Sequence, residues 1–247
     1  MRLFLAVAAC AALAVSAHGQ TARPVQTLQS SAGPIKITPV YHAALVIEAG
    51  GKVIIVDPAK PADFTGLPQA DLILISHEHG DHMDPDLAAK LSKADTEIWA
   101  NAATKDKIPS AQVIGNGDTK KWGAFTIEAV PAYNIVRGPA AGKFYHPKGI
   151  GNGYVISYGG KRIYITGDTE NIPEMSAIKN IDMEFLCVNL PYTMTPDEAA
   201  AAAKVVHPKV VIPYHYRANP PTDLNAFKTA LDGSGIEVRL LEWYPKS

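Results

Sequence analysis

Ser76-His77-Glu78-His79-Gly80-Asp81-His82-Met83-Asp84 is the densest run of chemistry-bearing side chains in the sequence, with three of the eight histidines and three carboxylates in nine positions. It follows directly on the apolar run Leu72-Ile73-Leu74-Ile75. In a loop, His77 and His79 at spacing two turn the same way, whereas Asp81 and His82 fall on the other side of the turn at Gly80. Two ligand pairs result, with room for two metal ions. Neutral imidazoles with a carboxylate suit Zn(II) first, with iron and manganese as alternatives. A solvated polar loop capping the next helix is the plainer reading, but such a loop has no need of four ligand side chains at the carboxyl end of an apolar strand. Thiolates take no part: Cys10 and Cys187 are the only cysteines, too few for a disulfide framework. Cys187 sits in the apolar Phe185-Leu186-Cys187-Val188, where a lone thiol reads as packing.

The elements that must position this loop are short. Strands are predicted at 35–40, 45–48, 53–57, 72–76, 96–100, 125–130, 154–157, 162–166, 183–188, 210–213 and 237–241, each bounded by Gly, Pro or Asp. Asp84-Pro85-Asp86 opens a helix through Lys93, with Asp as N-cap and Pro in the first turn. Thr195-Pro196-Asp197-Glu198 is a capping box ahead of the Ala-rich run 199–206. Pro221 to Leu231 is a third helix and 172–179 a weaker one. No internal repeat stands out, although the first half is rich in hairpins and the second alternates strand with helix. Between Val130 and Tyr154 runs a long Gly- and Pro-rich segment without periodicity, a kind of loop that is usually functional inside a compact domain.

The motif H-x-H-x-D-H after an apolar strand resembles that of the metallo-β-lactamase superfamily, and later markers recur in order over nearly the whole chain. Val56-Asp57-Pro58 resembles the family's strand-end Asp, His146-Pro147-Lys148-Gly149 its third His, Gly167-Asp168-Thr169 its bridging Asp, and Pro213-Tyr214-His215-Tyr216 its last His. Within the superfamily the look is nearest to ascorbate-6-phosphate lactonase-like and N-acyl-phosphatidylethanolamine phospholipase D-like hydrolases. The resemblance implies an α/β (α+β) fold, a four-layer αβ/βα sandwich. It also implies that His77, His79 and His146 hold one metal, Asp81, His82 and His215 the other, and that Asp168 bridges them. Asp168 and His215 each follow a β-branched run, so both would lie beyond a strand's carboxyl end. Where a relative carries a ligand His directly after a strand, this chain has Asn134. An amide is a poor zinc ligand beside imidazole, so the loop is expected to fold back and deliver His146.

The expected activity is that of a dinuclear-metal hydrolase cleaving a lactone or other ester of a small molecule, with Asp81 aligning the nucleophile. A phosphodiesterase is the runner-up; an iron-dependent oxidoreductase acting on sulfur compounds or dioxygen, and a non-catalytic metal-binding protein, are the rivals from other classes. An acidic residue at position 168 argues against β-lactam hydrolysis. Asp57 is expected to orient a ligand His, and His42, Tyr133, Asn134, Tyr192, Tyr214, Tyr216 and Arg217 are candidate rim groups for substrate. His207, before Pro208, reads as a helix-end side chain. With 23 basic against 24 acidic residues there is no bulk attraction to nucleic acid. The composition, 47% hydrophobic and 19% charged over 247 residues, is that of one globular domain, 35–247. Ahead of it, residues 1–17 read as a secretory signal peptide: Arg2, an apolar run from Leu3 to Val15, then Val15-Ser16-Ala17 as a small-residue cleavage site. A polar segment, 18–34, follows. The protein is expected in the periplasm or medium without a stable membrane anchor, with lipidation at Cys10 the alternative. The sequence does not indicate the oligomeric state.

Overall fold

The computed structural model describes residues 23–244; the expected signal peptide, Cys10 and His18 lie outside them. Fourteen strands form two seven-stranded mixed sheets, each assembled in chain order. The first holds β1 (Gln26–Ser30), β2 (Gly33–Tyr41), β3 (Ala44–Ala49), β4 (Lys52–Val56), β5 (Ala70–Ile75), β6 (Ser92–Ala100) and β7 (Gln112–Val113). The second holds β8 (Thr119–Trp122), β9 (Phe125–Ala132), β10 (Gly151–Tyr158), β11 (Lys161–Ile165), β12 (Met183–Cys187), β13 (Val210–Tyr214) and β14 (Glu237–Val238). In each sheet the first three pairings are antiparallel and the last three parallel. The two halves therefore repeat one order of pairings, a repeat not visible in the side chains.

Parallel pairs need crossovers, and the helices occupy them: α1 (Pro85–Leu91) between β5 and β6, α2 (Pro196–Val206) between β12 and β13, and α3 (Leu224–Ala230) between β13 and β14. Alternating strand residues sort the layers. Leu45, Ile47, Ile54, Val56, Leu72 and Leu74 join Ile127, Tyr154, Ile156, Ile163 and Phe185 in one buried cluster between the sheets. Their neighbours Val46, Val53, Ile55, Ile73 and Ile75 point the other way, against Ala88 and Leu91 of α1. β5 is buried along all six residues, which is why it reads as an unbroken apolar run rather than an alternating one. On the far side, α2 buries Ala199, Ala200, Ala202, Ala203 and Val206. The result is the expected four-layer αβ/βα sandwich.

The capping box of α2 and the Asp84 cap with Pro85 in the first turn of α1 form as the sequence implies, and His207 is the left-handed C-cap of α2. Other boundaries differ. α3 starts only at Leu224, because the Asp223 side chain accepts the Ala226 N–H and caps it there. The weaker helix is a 3-10 turn, Pro173–Ala177, with no side-chain cap. Strands β1, β7 and β8 escaped the sequence reading because they are edge strands, short or built of alternating polar residues such as Thr119-Lys120-Lys121-Trp122, a composition that discourages edge-to-edge pairing. Within the polar segment 18–34, Gln26–Ser30 pairs along β2 and lays Leu28 on the core.

Candidate metal centre

Strands β2, β4, β5, β9, β11 and β13 all run toward one edge of the sandwich, and their following residues converge there. Asp57 ends β4 in a left-handed conformation, φ 47°, with its N–H bonded to the Leu74 carbonyl. Its carboxylate accepts the Ser76 backbone N–H and hydroxyl, each at 2.7 Å, and His82 Nδ1–H at 2.7 Å. Because the Ser76 hydroxyl hydrogen goes to Asp57, its oxygen accepts from His77 Nδ1, 3.0 Å away. Both imidazoles thus carry their proton on Nδ1 and present Nε2 inward. The His79 carbonyl accepts from His82 N and Met83 N, a turn that brings Asp81 and His82 back toward His77.

The second sheet supplies the opposite wall. Gly167, φ 62°, precedes Asp168; a Cβ at Gly167 would lie 2.5 Å from the Asn152 carbonyl oxygen, so only glycine fits that turn. Asp168 Oδ2 lies 3.2 Å from His146 Nε2, and Oδ1 lies 3.4 Å from both His82 Nε2 and His215 Nδ1. His215 follows β13 with φ 53°, and its Nε2 is 3.0 Å from His82 Nε2 and 3.4 Å from Asp81 Oδ2. The loop 133–150 folds back on itself: Asn134 N donates to the His146 carbonyl at 2.8 Å, and Asn134 Oδ1 accepts His146 N and Nδ1. His146 therefore also turns Nε2 inward.

Among the described residues, three donor sets have ligand atoms within 4.8 Å of one another: His77, His79 and His146; His77, His82 and Asp168; and His42, Asp81 and His215. A tetrahedral ion with bonds of about 2.0–2.1 Å spaces its donors about 3.3 Å apart, and one pair or more in each set comes close to that: His77 Nε2 and His79 Nδ1 at 3.1 Å, His82 Nε2 and Asp168 Oδ1 at 3.4 Å, and Asp81 Oδ2 at 3.4 Å from both His42 Nε2 and His215 Nε2. Asp168 Oδ1 is buried without a hydrogen-bond partner, an arrangement that is costly unless a cation faces it. The electrostatics agree. Burial works against the Asp168 charge, but the His215 and His82 rings hold its carboxyl well below the usual range. Burial likewise opposes protonation of His82, yet Asp168 and Asp57 raise its pKa well above the ordinary value. His77 moves the other way, lowered by burial and then by His82. The residues present thus fit a bound divalent ion.

Of the expected rim groups, His42, Tyr192, Tyr216 and Arg217 line a cleft of about 280 Å³ that also exposes Asp81. The others are corrected. Asn134 is 2% exposed and spends its amide on His146, Glu170 Oε1 and the Tyr192 carbonyl, leaving nothing for substrate. The Tyr133 hydroxyl donates to Glu174, away from the cleft, and that of Tyr214 is buried under Gly167 N, from which it accepts. Tyr216 lines the cleft, but its hydroxyl donates to the Leu241 carbonyl. Sequence reasoning passed over Ser76, Glu170 and Asn189. Glu170 gathers the N–H groups of Ile135, Val136 and Arg137 in addition to the Asn134 amide, and its place two residues after Asp168 was the available signal. Asn189 follows β12 and sits 3.3 Å from His215 Nδ1. Cys187 is buried, with its thiol on the Thr169 carbonyl, and burial pushes it up to about 12.

A histidine- and carboxylate-lined centre at the edge of an αβ/βα sandwich defines a class of metal-dependent enzymes, and the comparisons identify the family. The model of the beta-lactamase superfamily domain matches residues 36–215. A UPF0173 metal-dependent hydrolase of Pyrococcus abyssi is 34% identical over 230 residues, covering 84% of this chain and 96% of its own. The crystal structure of a Parabacteroides distasonis protein described as a metal-dependent hydrolase is 44% identical, with a TM-score of 0.84, and covers 90% of this chain and all of its own. A metallo hydrolase of Ignicoccus hospitalis is 27% identical, with a TM-score of 0.69 over 84% of this chain and 95% of its own. The chain belongs to the beta-lactamase superfamily, as a metal-dependent hydrolase of the metallo-β-lactamase fold.

Proposed function

We propose that the centre holds two divalent ions, zinc first, and hydrolyses the ester bond of a lactone or other small ester. The observation that carries this reading is the position of Asp168, with one oxygen beside His146 and the other beside His82 and His215. It supports His77, His79 and His146 as ligands of one ion, Asp81, His82 and His215 as ligands of the other, and Asp168 as the bridge. Two such ions, when bound, would make water acidic enough to attack near neutral pH and would withdraw charge from the carbonyl.

The chain's own groups direct the rest. Asp81 is half exposed, at the boundary between the centre and the cleft. Burial opposes its charge, but the neighbouring imidazoles of His215 and His42 hold it well below the usual carboxylate range, so it is an anion able to orient water. Across the cleft, Arg217 NH1 donates to the Leu190 carbonyl, and among the described residues Arg217 pairs with no carboxylate. Its remaining N–H donors suit an oxygen-rich part of the substrate, and they equally favour the second reading, a phosphodiester. Tyr192 supplies an apolar wall with a polar tip.

A panel of lactones, open esters, phosphodiesters, thioesters and β-lactams, tested on protein carrying a measured metal content, decides the substrate. Turnover of esters at two metal equivalents supports the reading. A plateau at one equivalent with full activity, or turnover confined to phosphodiesters, overturns it. Residues 1–17 are proposed to direct export and to be removed. Mass analysis of protein recovered from the periplasm or medium should show the shortened chain, whereas intact protein retained in the cytosol defeats this part.

A further inference from the structure

His42 stands at the same edge as the histidines assigned above but outside that ligand set. It follows β2 in a left-handed backbone conformation, φ 53°, which is uncommon away from glycine and concentrates at functional sites. Its carbonyl accepts His215 N at 3.2 Å, and the two rings stand 3.9 Å apart, centroid to centroid.

The hydrogen bonds fix its tautomer. Tyr244 OH donates to the Tyr216 carbonyl, so its oxygen is left to accept from His42 Nδ1–H, 2.7 Å away. Nε2 then keeps its lone pair. That lone pair points at Asp81 Oδ2, 3.4 Å distant, and the ligand atoms of His42, Asp81 and His215 lie within 4.8 Å of one another. His77, His82 and His146 are arranged alike, each with Nδ1 held by an oxygen and Nε2 turned inward. An outward N–H engaged by an oxygen is the usual mark of a metal-bound imidazole. A lone pair facing a carboxylate oxygen is also repulsive unless a cation lies between them.

We infer that His42 is a metal ligand, contributing Nε2 to a divalent ion held with Asp81 and His215. The inference rests on reading the site as a two-metal centre, and it adds a donor on the side that faces the cleft. His42 then acts on the ion, and its place in the cleft wall is a by-product of that role.

The test is titration of metal-stripped protein with Co(II), followed by calorimetry and by the visible cobalt bands, in the wild type and in His42→Ala, His42→Glu, Tyr244→Phe and His77→Ala. In His42→Ala, one of two binding steps should weaken about 10- to 100-fold and the cobalt bands should shift. His42→Glu, which still offers a ligand atom at similar reach, should recover most of the loss. If His42→Ala fails to fold, as judged by near-ultraviolet circular dichroism, Tyr244→Phe carries the same expectation at about tenfold, because it keeps the imidazole and removes its acceptor. Two binding steps of wild-type affinity with unchanged bands in the variant used would overturn the proposal and leave His42 as a charge partner of Asp81. If His77→Ala also binds two ions as the wild type does, or the wild type binds none, the two-metal reading itself fails and takes this inference with it.

Discussion

Asn134 and His146 are joined twice, since the single oxygen Asn134 Oδ1 accepts both the backbone N–H and the ring Nδ1–H of His146 at 2.8 Å. Glu170 and the Tyr192 carbonyl hold the other end of the amide. The chain from Glu170 through Asn134 to His146 therefore sets the direction of the imidazole.

Asn134→Ala should accordingly weaken metal binding about 10- to 100-fold and destabilise the fold by about 1–3 kcal/mol, because it strands two donors of His146 in a buried place. Isothermal titration with zinc and urea unfolding check the two parts. A variant that keeps full metal affinity and loses only substrate affinity would contradict the geometry.

Asp168→Asn keeps the shape of the side chain and removes its charge. Hydrolysis should fall by about 10²–10³-fold or more, the scale of losing one preorganised electrostatic group, and metal content should drop below that of the wild type. Elemental analysis and circular dichroism of the same sample separate metal loss from unfolding.

Glu184 lies on β12 beside Tyr164 of β11, fully buried, with both carboxylate oxygens unpartnered, and burial raises its pKa from about 4.5 to about 8. Below pH 4.5 it is protonated folded and unfolded alike and affects nothing. As pH rises from there to about 8, the native state keeps a proton that the unfolded chain releases, so stability falls with pH and then levels off. Urea midpoints measured across this range should show that decline in the wild type and a flatter line in Glu184→Gln.

Cys187 should resist thiol reagents in the native protein and react on denaturation, since its thiol is buried and pushed up to about 12. Labelling with a chromogenic disulfide, with and without urea, is enough to see this. Cys187→Ser should leave turnover near the wild-type value and lower the melting temperature.

The His77 to His82 loop and the strands beneath it were legible because ligand density and two-sided burial both leave strong local patterns. Asp57 was legible as a strand-ending acid, and the structure gives it His82 as partner. Asn134 was misread for a physical reason. Its spacing after β9 places it at the rim, but its orientation is decided by His146, twelve residues on, and Glu170, thirty-six residues on. No local pattern encodes such pairings. Edge strands β1 and β8 stayed hidden for a similar reason: one ladder and partial burial demand little of their side chains.

The repeated order of strand pairings divides the site's side chains between two lengths of chain. His42, His77, His79, Asp81 and His82 come from the loops of the first sheet, and His146, Asp168 and His215 from those of the second. A complete coordination shell can therefore exist only where the two halves are docked. An ion bound there would act as a reversible cross-link between distant segments of the chain, His82 and His215 being 133 residues apart, stabilising the docked state by mass action. Among the described residues, the stretch from Val113 to Thr119 is the one covalent tie between the sheets, and it reaches the surface at Gly117 and Asp118. If the chain were nicked there, metal concentration would become a handle on whether two fragments behave as one protein.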